Sequence, residues 1–123
     1  MLIDQDAGSG GDYLPYAFRH LRIGKLIGTR TWGGLIGIFA NPLLIDGGVV
    51  TVPFFRFFDT ERKWTVENEG VAPDIEVLLD PIASNEGRDT QLEAAIREIL
   101  SQLETHESSI PQEAPPYPTK LGQ

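Results

Sequence analysis

The sequence predicts an α/β fold, and three observations carry that reading. Short aliphatic and β-branched runs (Leu2-Ile3, Leu26-Ile27, Leu35–Phe39, Val49–Phe58, Ile75–Val77) read as strands, and helical periodicity appears once near each end of the chain. Gly and Pro clusters punctuate nearly every junction between these runs. At 123 residues, 41% apolar and with a mean hydropathy of −0.15, the chain is sized for one globular domain burying roughly two-thirds of its unfolded surface.

In order along the chain, Leu2-Ile3 reads as the end of a strand whose beginning is missing, so the sequence is expected to be a piece of a longer polypeptide. After the turn Ala7-Gly8-Ser9-Gly10-Gly11, Asp12 stands where a helix starts, able to accept free N–H groups and complement the dipole. Tyr13, Leu14, Tyr16, Ala17, Phe18 and Leu21 follow at helical spacing. Pro15 falls in the first turn, where it costs little, Arg19 and Arg22 fall in the last, and Gly24 is the expected stop. Leu26-Ile27 is a short buried strand closed by Gly28-Thr29-Arg30-Thr31-Trp32-Gly33-Gly34. Leu35–Phe39 is another, ended by Asn41-Pro42, and Leu43-Leu44-Ile45 runs into the turn Asp46-Gly47-Gly48. In Val49–Phe58, Pro53 marks an edge or a bulge. Trp64-Thr65-Val66 and Ile75-Glu76-Val77 are read as two further strands. Asp89 to about Leu103 is an amphipathic helix with Leu92, Ala95, Ile96, Ile99, Leu100 and Leu103 on one face. From Ser108 the chain becomes proline-rich, and 108–123 is expected to be a disordered tail following a folded segment over 1–107.

Composition excludes several classes of function. No apolar run approaches the ~20 residues that a membrane-spanning helix needs. The early acids Asp4 and Asp6 and the lack of a basic opening argue against a signal peptide. Zero cysteines remove disulfides, thiolate catalysis and Cys-ligated zinc. A net charge of −8 argues against generic nucleic-acid binding, which needs clustered Lys and Arg. That charge is uneven: residues 1–58 carry net +1 and residues 59–123 net −9, while ten of the 13 glycines lie between Gly8 and Gly48. A neutral, glycine-rich half suits a site built from main-chain groups. Asp4, Asp6 and Asp12 lack the Gly and distal Glu of a calcium loop, so neither metal nor cofactor is assigned.

The strand–turn–helix over residues 2–22 is the most informative stretch. A serine between small residues, at a tight turn feeding a helix N-terminus, has its hydroxyl lifted clear and free N–H groups nearby for a developing oxyanion. Ala7-x-Ser9-x-Gly11 is a near-miss to the nucleophile-elbow pattern, and a serine that merely caps the helix is the plainer alternative. An anion cradle at Gly8–Gly11 is a third. The dinucleotide fingerprint fails at Tyr13, and the P-loop spacing of Gly28 to Gly33 fails at Gly34-Leu35. A serine hydroxyl also needs a base within about 3 Å. His20 lies eleven residues along the helix, roughly 16 Å away, and suits the helix C-terminus electrostatically. Lys25 is similarly remote, and His106 is read as solvated at the end of the last helix. Trp32 either walls a groove or packs in the core, and by composition Glu67 is a solvated carboxylate. The phenylalanines at 54, 55, 57 and 58 cover both faces of a strand, and some are expected to bury against another subunit or domain.

Five blocks, in order and covering about four-fifths of the chain, resemble the C-terminal catalytic part of tricorn-type serine proteases, which belong with the tail-specific proteases. They are Ala7-Gly8-Ser9-Gly10-Gly11-Asp12, Leu26 to Gly34, Leu44-Ile45-Asp46-Gly47-Gly48, Val66-Glu67-Asn68-Glu69-Gly70-Val71-Ala72-Pro73-Asp74, and Gly87-Arg88-Asp89-Thr90-Gln91-Leu92. The resemblance implies a partial crotonase-like α/β fold, with a mixed sheet, a helix after the nucleophile turn and a C-terminal helix. It implies Ser9 as nucleophile, Gly10 N–H as one oxyanion donor, and Glu67 as the distal acid of a Ser-His-Ser-Glu tetrad. Thr31, Trp32 and Gly33 become candidate substrate-binding residues. The tail-specific branch has a lysine base where this chain has Gly34, so the Ser-Lys dyad is absent; the tricorn branch takes its base from an upstream His-Ser pair outside this sequence.

The expected function is thus a cytoplasmic serine endopeptidase acting on oligopeptides, homo-oligomeric, completed by upstream catalytic segments and inactive as this chain alone. A non-enzymatic assembly or peptide-binding module on the same scaffold is the alternative. The peptidase reading requires the Ser9 hydroxyl to be open and the Glu67 carboxylate to face the same cleft.

Overall fold

The structure is a computed structural model that describes residues 1–39, 43–105 and 113–117. Three strands, β1 (Leu2–Ile3), β2 (Ile27–Gly28) and β5 (Ile75–Glu76), form a parallel sheet in the order β1-β2-β5. Helix α1 (Gly10–His20) connects β1 to β2. Strands β3 (Gly37–Phe39) and β4 (Val52–Phe55) pair antiparallel as a separate ribbon, with a register shift between Gly37 and Ile38 and Pro53 opposite Ile38. Helices α2 (Pro81–Asn85) and α3 (Thr90–Thr105) close the chain. Parallel and antiparallel pairing and both flanking helices therefore occur, as an α/β chain requires.

β2 is the centre of the assembly. Its approach, Leu26, is fully buried and packs with Ile3, Val66 and Val71, while Tyr16, Phe18 and Leu35 lie partly buried against that cluster. Asp74 locks this register: its Oδ2 accepts the Leu26 N–H at 2.7 Å and its Oδ1 accepts Arg19 Nη2 of α1 at 2.9 Å. Gly28 has φ 130°, and a Cβ there would overlap the Ile3 carbonyl, so β1 and β2 pair closely only around a glycine. α1 ends earlier than Gly24. Arg22 takes φ 54°, and the Ile23 N–H reaches back to Phe18 O at 3.1 Å, satisfying a terminal carbonyl in the manner of a C-terminal cap.

One expected strand is corrected, and one helix lies beyond the expected elements. Trp64-Thr65-Val66 is not a strand: Trp64 makes one isolated bridge to Phe58, and Val66 has φ 72° at the start of a turn. Its β-branched side chain is buried in the core, so burial rather than pairing accounts for the composition. α2 was absent from the expected elements, although Asp80-Pro81 carries its signal: Asp80 Oδ1 accepts the Ile82 N–H at 2.8 Å, with proline at the first helical position. α3 lies on β1 and β2 and is tied by Lys25 Nζ to Glu98 Oε1 at 2.6 Å, yet Ile96, Ile99, Leu100 and Leu103 remain exposed. Of the proline-rich stretch 108–123, residues 113–117 are exposed and without helix or strand; the others, like the Asn41-Pro42 turn, lie outside the described residues. Among the described residues, no helix is long and apolar enough to cross a membrane.

Candidate active site

The chain between β1 and α1 bends sharply, and Ser9 immediately precedes the first helical residue with φ 54° and ψ −111°. For a residue bearing a Cβ, such backbone stores on the order of 1–3 kcal/mol and persists only where its surroundings over-determine it. They do so here. Gly11 N–H donates to Gly8 O at 2.8 Å, Asp12 and Tyr13 N–H both donate to Ser9 O at 3.0 Å, and Ser9 N–H donates to Gly34 O at 3.0 Å. The Ser9 side chain makes no capping bond and the residue is exposed, so a helix cap does not describe it. Beside it, the Gly10 N–H has no acceptor among the described residues, and a Cβ on Gly10 would meet nothing within 4 Å. The approach to that donor is open.

Asp12 does not cap the helix either. It is completely buried, and its carboxylate crosses to the segment after β2: Oδ1 accepts Gly33 N–H at 2.7 Å and Oδ2 accepts Gly34 N–H at 3.0 Å. Trp32 N–H donates to Ala7 O at 2.9 Å, completing a zipper between the two turns. The Trp32 indole lies over Gly8 and Gly34: a Cβ on Gly8 would stand 2.5 Å from Cε3, and one on Gly34 would overlap the same ring. At 65% exposure it is a groove wall and not a core aromatic.

Glu67 enters from a strained turn in which Val66, Asn68 and Gly70 all have positive φ (72°, 64°, 66°). Buried Val66 anchors that turn, its carbonyl accepting the N–H groups of Glu69 and Gly70 at 3.0 and 2.7 Å. Glu67 Oε2 then accepts Leu35 N–H and Ile36 N–H, both at 2.7 Å. Its Oε1 has no hydrogen-bond partner among the described residues.

Ser9 and Glu67 share one groove of about 530 Å³, with Trp32, Gly34, Ile36 and Phe55 also lining it. Thr31 and Gly33, expected among the substrate-binding residues, are not among those lining it. Thr31 is completely buried and its Oγ1 accepts Val71 N–H at 2.8 Å. Gly33 has φ 86°, a Cβ there would stand 2.6 Å from Gly70 N, and its carbonyl accepts Asn68 N–H at 2.7 Å. Both belong to the frame that carries Trp32. Sequence reasoning missed Ile36, Phe55 and the crossing of Asp12, because each depends on pairing between segments distant in the chain.

No His or Lys lines the groove among the described residues. His20 stacks on Tyr16 with ring centroids 6.2 Å apart, at the far end of α1, and Lys25 is engaged by Glu98. Asp4 Oδ1 accepts the N–H groups of Asp6 and Ala7 and serves its own turn. Among the described residues, no group of three or more His, Asp or Glu side chains is placed to hold a metal ion. A second depression, about 370 Å³ between Phe39, Val52, Pro53 and Phe54, is apolar and presents no side chain able to react.

Residues 1–77 match the family model described as peptidase family S41. The chain is 41% identical over 111 residues to the tricorn protease of Thermoplasma acidophilum, covering 90% of this chain and 10% of that protein. It is 43% identical over 108 residues to a putative tricorn protease homolog of Streptomyces coelicolor (88% and 9%), and 45% identical over 103 residues to a putative tricorn-like protease C-terminal subunit of Sulfurisphaera tokodaii (84% and 12%). A solved crystal structure of the tricorn protease superposes with a TM-score of 0.78 at 43% identity, covering 84% of this chain and 10% of that one. The chain thus spans about a tenth of the length of the curated relatives it matches.

Proposed function

The chain belongs to peptidase family S41, and from that membership we propose that it carries the nucleophile and the distal acid of a serine endopeptidase of the tricorn type. One observation carries the reading: an exposed serine on strained backbone, its hydroxyl unengaged, shares a groove with a carboxylate that has one free oxygen.

In the proposed mechanism, a histidine from a segment outside this sequence takes the Ser9 Oγ proton as the oxygen attacks the scissile carbonyl. The Gly10 N–H donates to the tetrahedral oxyanion, at a helix N-terminus whose dipole favours negative charge. The histidine returns the proton to the leaving amine, and water then attacks the acyl-enzyme by the same route. Glu67 Oε1 accepts from a second serine that orients the histidine, while Oε2 stays committed to the Leu35 and Ile36 N–H groups. Trp32 walls the peptide groove. Among the described residues no His or Lys lines the groove, and the 123 residues by themselves are proposed to be inactive. A homo-oligomeric enzyme is supported by the uncovered apolar residues of α3 and β4, and a cytoplasmic location is proposed, to be checked by cell fractionation.

Ser9→Ala in the full-length protein provides the test. Hydrolysis of oligopeptides and labelling by a fluorophosphonate should both vanish. Peptide binding with no hydrolysis in the unmutated protein points instead to the binding module, the reading favoured by the exposed β4 phenylalanines.

A further inference from the structure

We propose that Asp12 is a positioning residue of this peptidase, whose carboxylate, through the Gly33 and Gly34 N–H groups, sets the placement of Ser9 relative to Glu67. The inference rests on the serine-peptidase reading above and adds to it a residue that touches neither substrate nor reacting atoms.

A fully buried carboxylate is costly unless its oxygens are satisfied. Asp12 meets that condition with two backbone N–H donors and a place in the first turn of α1, where the helix dipole favours negative charge. Its partners decide what it does. Four consecutive N–H groups, those of residues 33 to 36, are bound in pairs by two carboxylates: Gly33 and Gly34 by Asp12, Leu35 and Ile36 by Glu67. The same segment returns to the nucleophile, because Gly34 O accepts the Ser9 N–H. Ser9, the 33–36 segment and Glu67 are therefore linked in series. Asp12 is the clamp that holds this link against the helix that Ser9 precedes.

Asn is nearly isosteric with Asp but has a single carbonyl oxygen. Its NH2 must then face one of the two glycine N–H groups, donor against donor, and the segment shifts. Misplacement of about 1 Å in a catalytic constellation can cost ~100-fold in rate.

The experiment is a double-mutant cycle in the full-length enzyme, with kcat expressed per fluorophosphonate-titrated site. Asp12→Asn is expected to lower kcat about 10- to 100-fold and to leave KM within about threefold. In the Glu67→Gln background the same change is expected to cost less than about threefold, because the placement it protects has already lost its use. Equal losses in both backgrounds, or an unchanged kcat, overturn the proposal. Should Asp12→Asn fail to fold, Asp12→Glu, which keeps the charge and both acceptors but displaces the segment by one methylene, carries the same cycle. Failure of both variants to fold also overturns the proposal, assigning Asp12 to general stability. Hydrolysis that survives Ser9→Ala removes the peptidase reading and this inference with it, whereas loss in Ser9→Ala beside normal turnover in Asp12→Asn removes this inference alone.

Discussion

Glu67→Ala tests the groove at its best-defined bond pair. Oε2 accepts two adjacent N–H groups at 2.7 Å, both partly buried. A buried donor left without its acceptor costs about 1–3 kcal/mol. Two such donors on an open groove, where water replaces part of the loss, come to about 2–3 kcal/mol. That cost is local, so hydrogen exchange at the two amides is the suitable assay. A loss of 2–3 kcal/mol corresponds to roughly 30- to 150-fold faster exchange at Leu35 and Ile36 if both open locally. Glu67→Gln provides the contrast, since its carbonyl oxygen can accept both N–H groups as a weaker, uncharged acceptor. It should accelerate exchange only about fivefold while still lowering kcat, because an amide cannot stabilise the positive charge developing on the base. Unchanged exchange at Leu35 and Ile36 in the Glu67→Ala variant would refute the assignment of Oε2 as their acceptor.

Thr31→Val removes a buried acceptor and strands the Val71 N–H, so it should lower stability by about 1–3 kcal/mol in denaturant melts and leave KM for peptides unchanged. A raised KM with unchanged stability would return Thr31 to the substrate groove. Trp32→Ala removes the exposed indole over Gly8 and Gly34, and should raise KM about tenfold with little change in melting temperature. The Glu98 carboxyl is held below its ordinary value of 4.5 chiefly by its hydrogen bond from Lys25, then by that from Gln102. Its contribution is therefore present at and above pH 4.5 and is lost as pH falls through the depressed value. The protection of α3 amides, taken relative to their intrinsic exchange rate at each pH, should fall in that acid window, and Glu98→Gln should abolish the dependence.

The elements legible in the sequence were those whose signal is local. α1 and α3 follow from side-chain periodicity, and β1, β2 and β5 from short aliphatic runs between glycines and polar turns. The exposed Ser9 was legible as well, because a small-residue turn before a helix leaves few places for its hydroxyl. What escaped was non-local. Thr31 looked like a groove residue beside Trp32, yet its hydroxyl is spent on Val71 across the core. Val66 looked like part of a strand, but its burial is reached through a positive-φ turn. Asp12 sits in the first turn of α1, where an acid suits the helix dipole, and nothing in its neighbourhood announces the glycines after β2 as its partners.

Among the described residues the buried aliphatic set is small: Ile3, Leu26, Ile27, Val66, Val71 and Ala83. Packing of so few side chains does not by itself hold a strained serine and a distal carboxylate in register, so the directional bonds must supply the rigidity. Those bonds also decide what remains available. Around the groove, the N–H groups of Ser9 and of residues 32 to 36 are engaged, as are both Asp12 oxygens and Glu67 Oε2. Among the described residues, the Ser9 hydroxyl, the Gly10 N–H and Glu67 Oε1 are polar groups there that make no hydrogen bond. A donor–acceptor, a donor and an acceptor are thus presented beside the committed N–H groups of residues 32 to 36, and a partner can engage them without breaking those bonds. The acyl transfer proposed at Ser9 needs that division of labour: its reacting groups must be unsatisfied before substrate arrives, and their supports must not be.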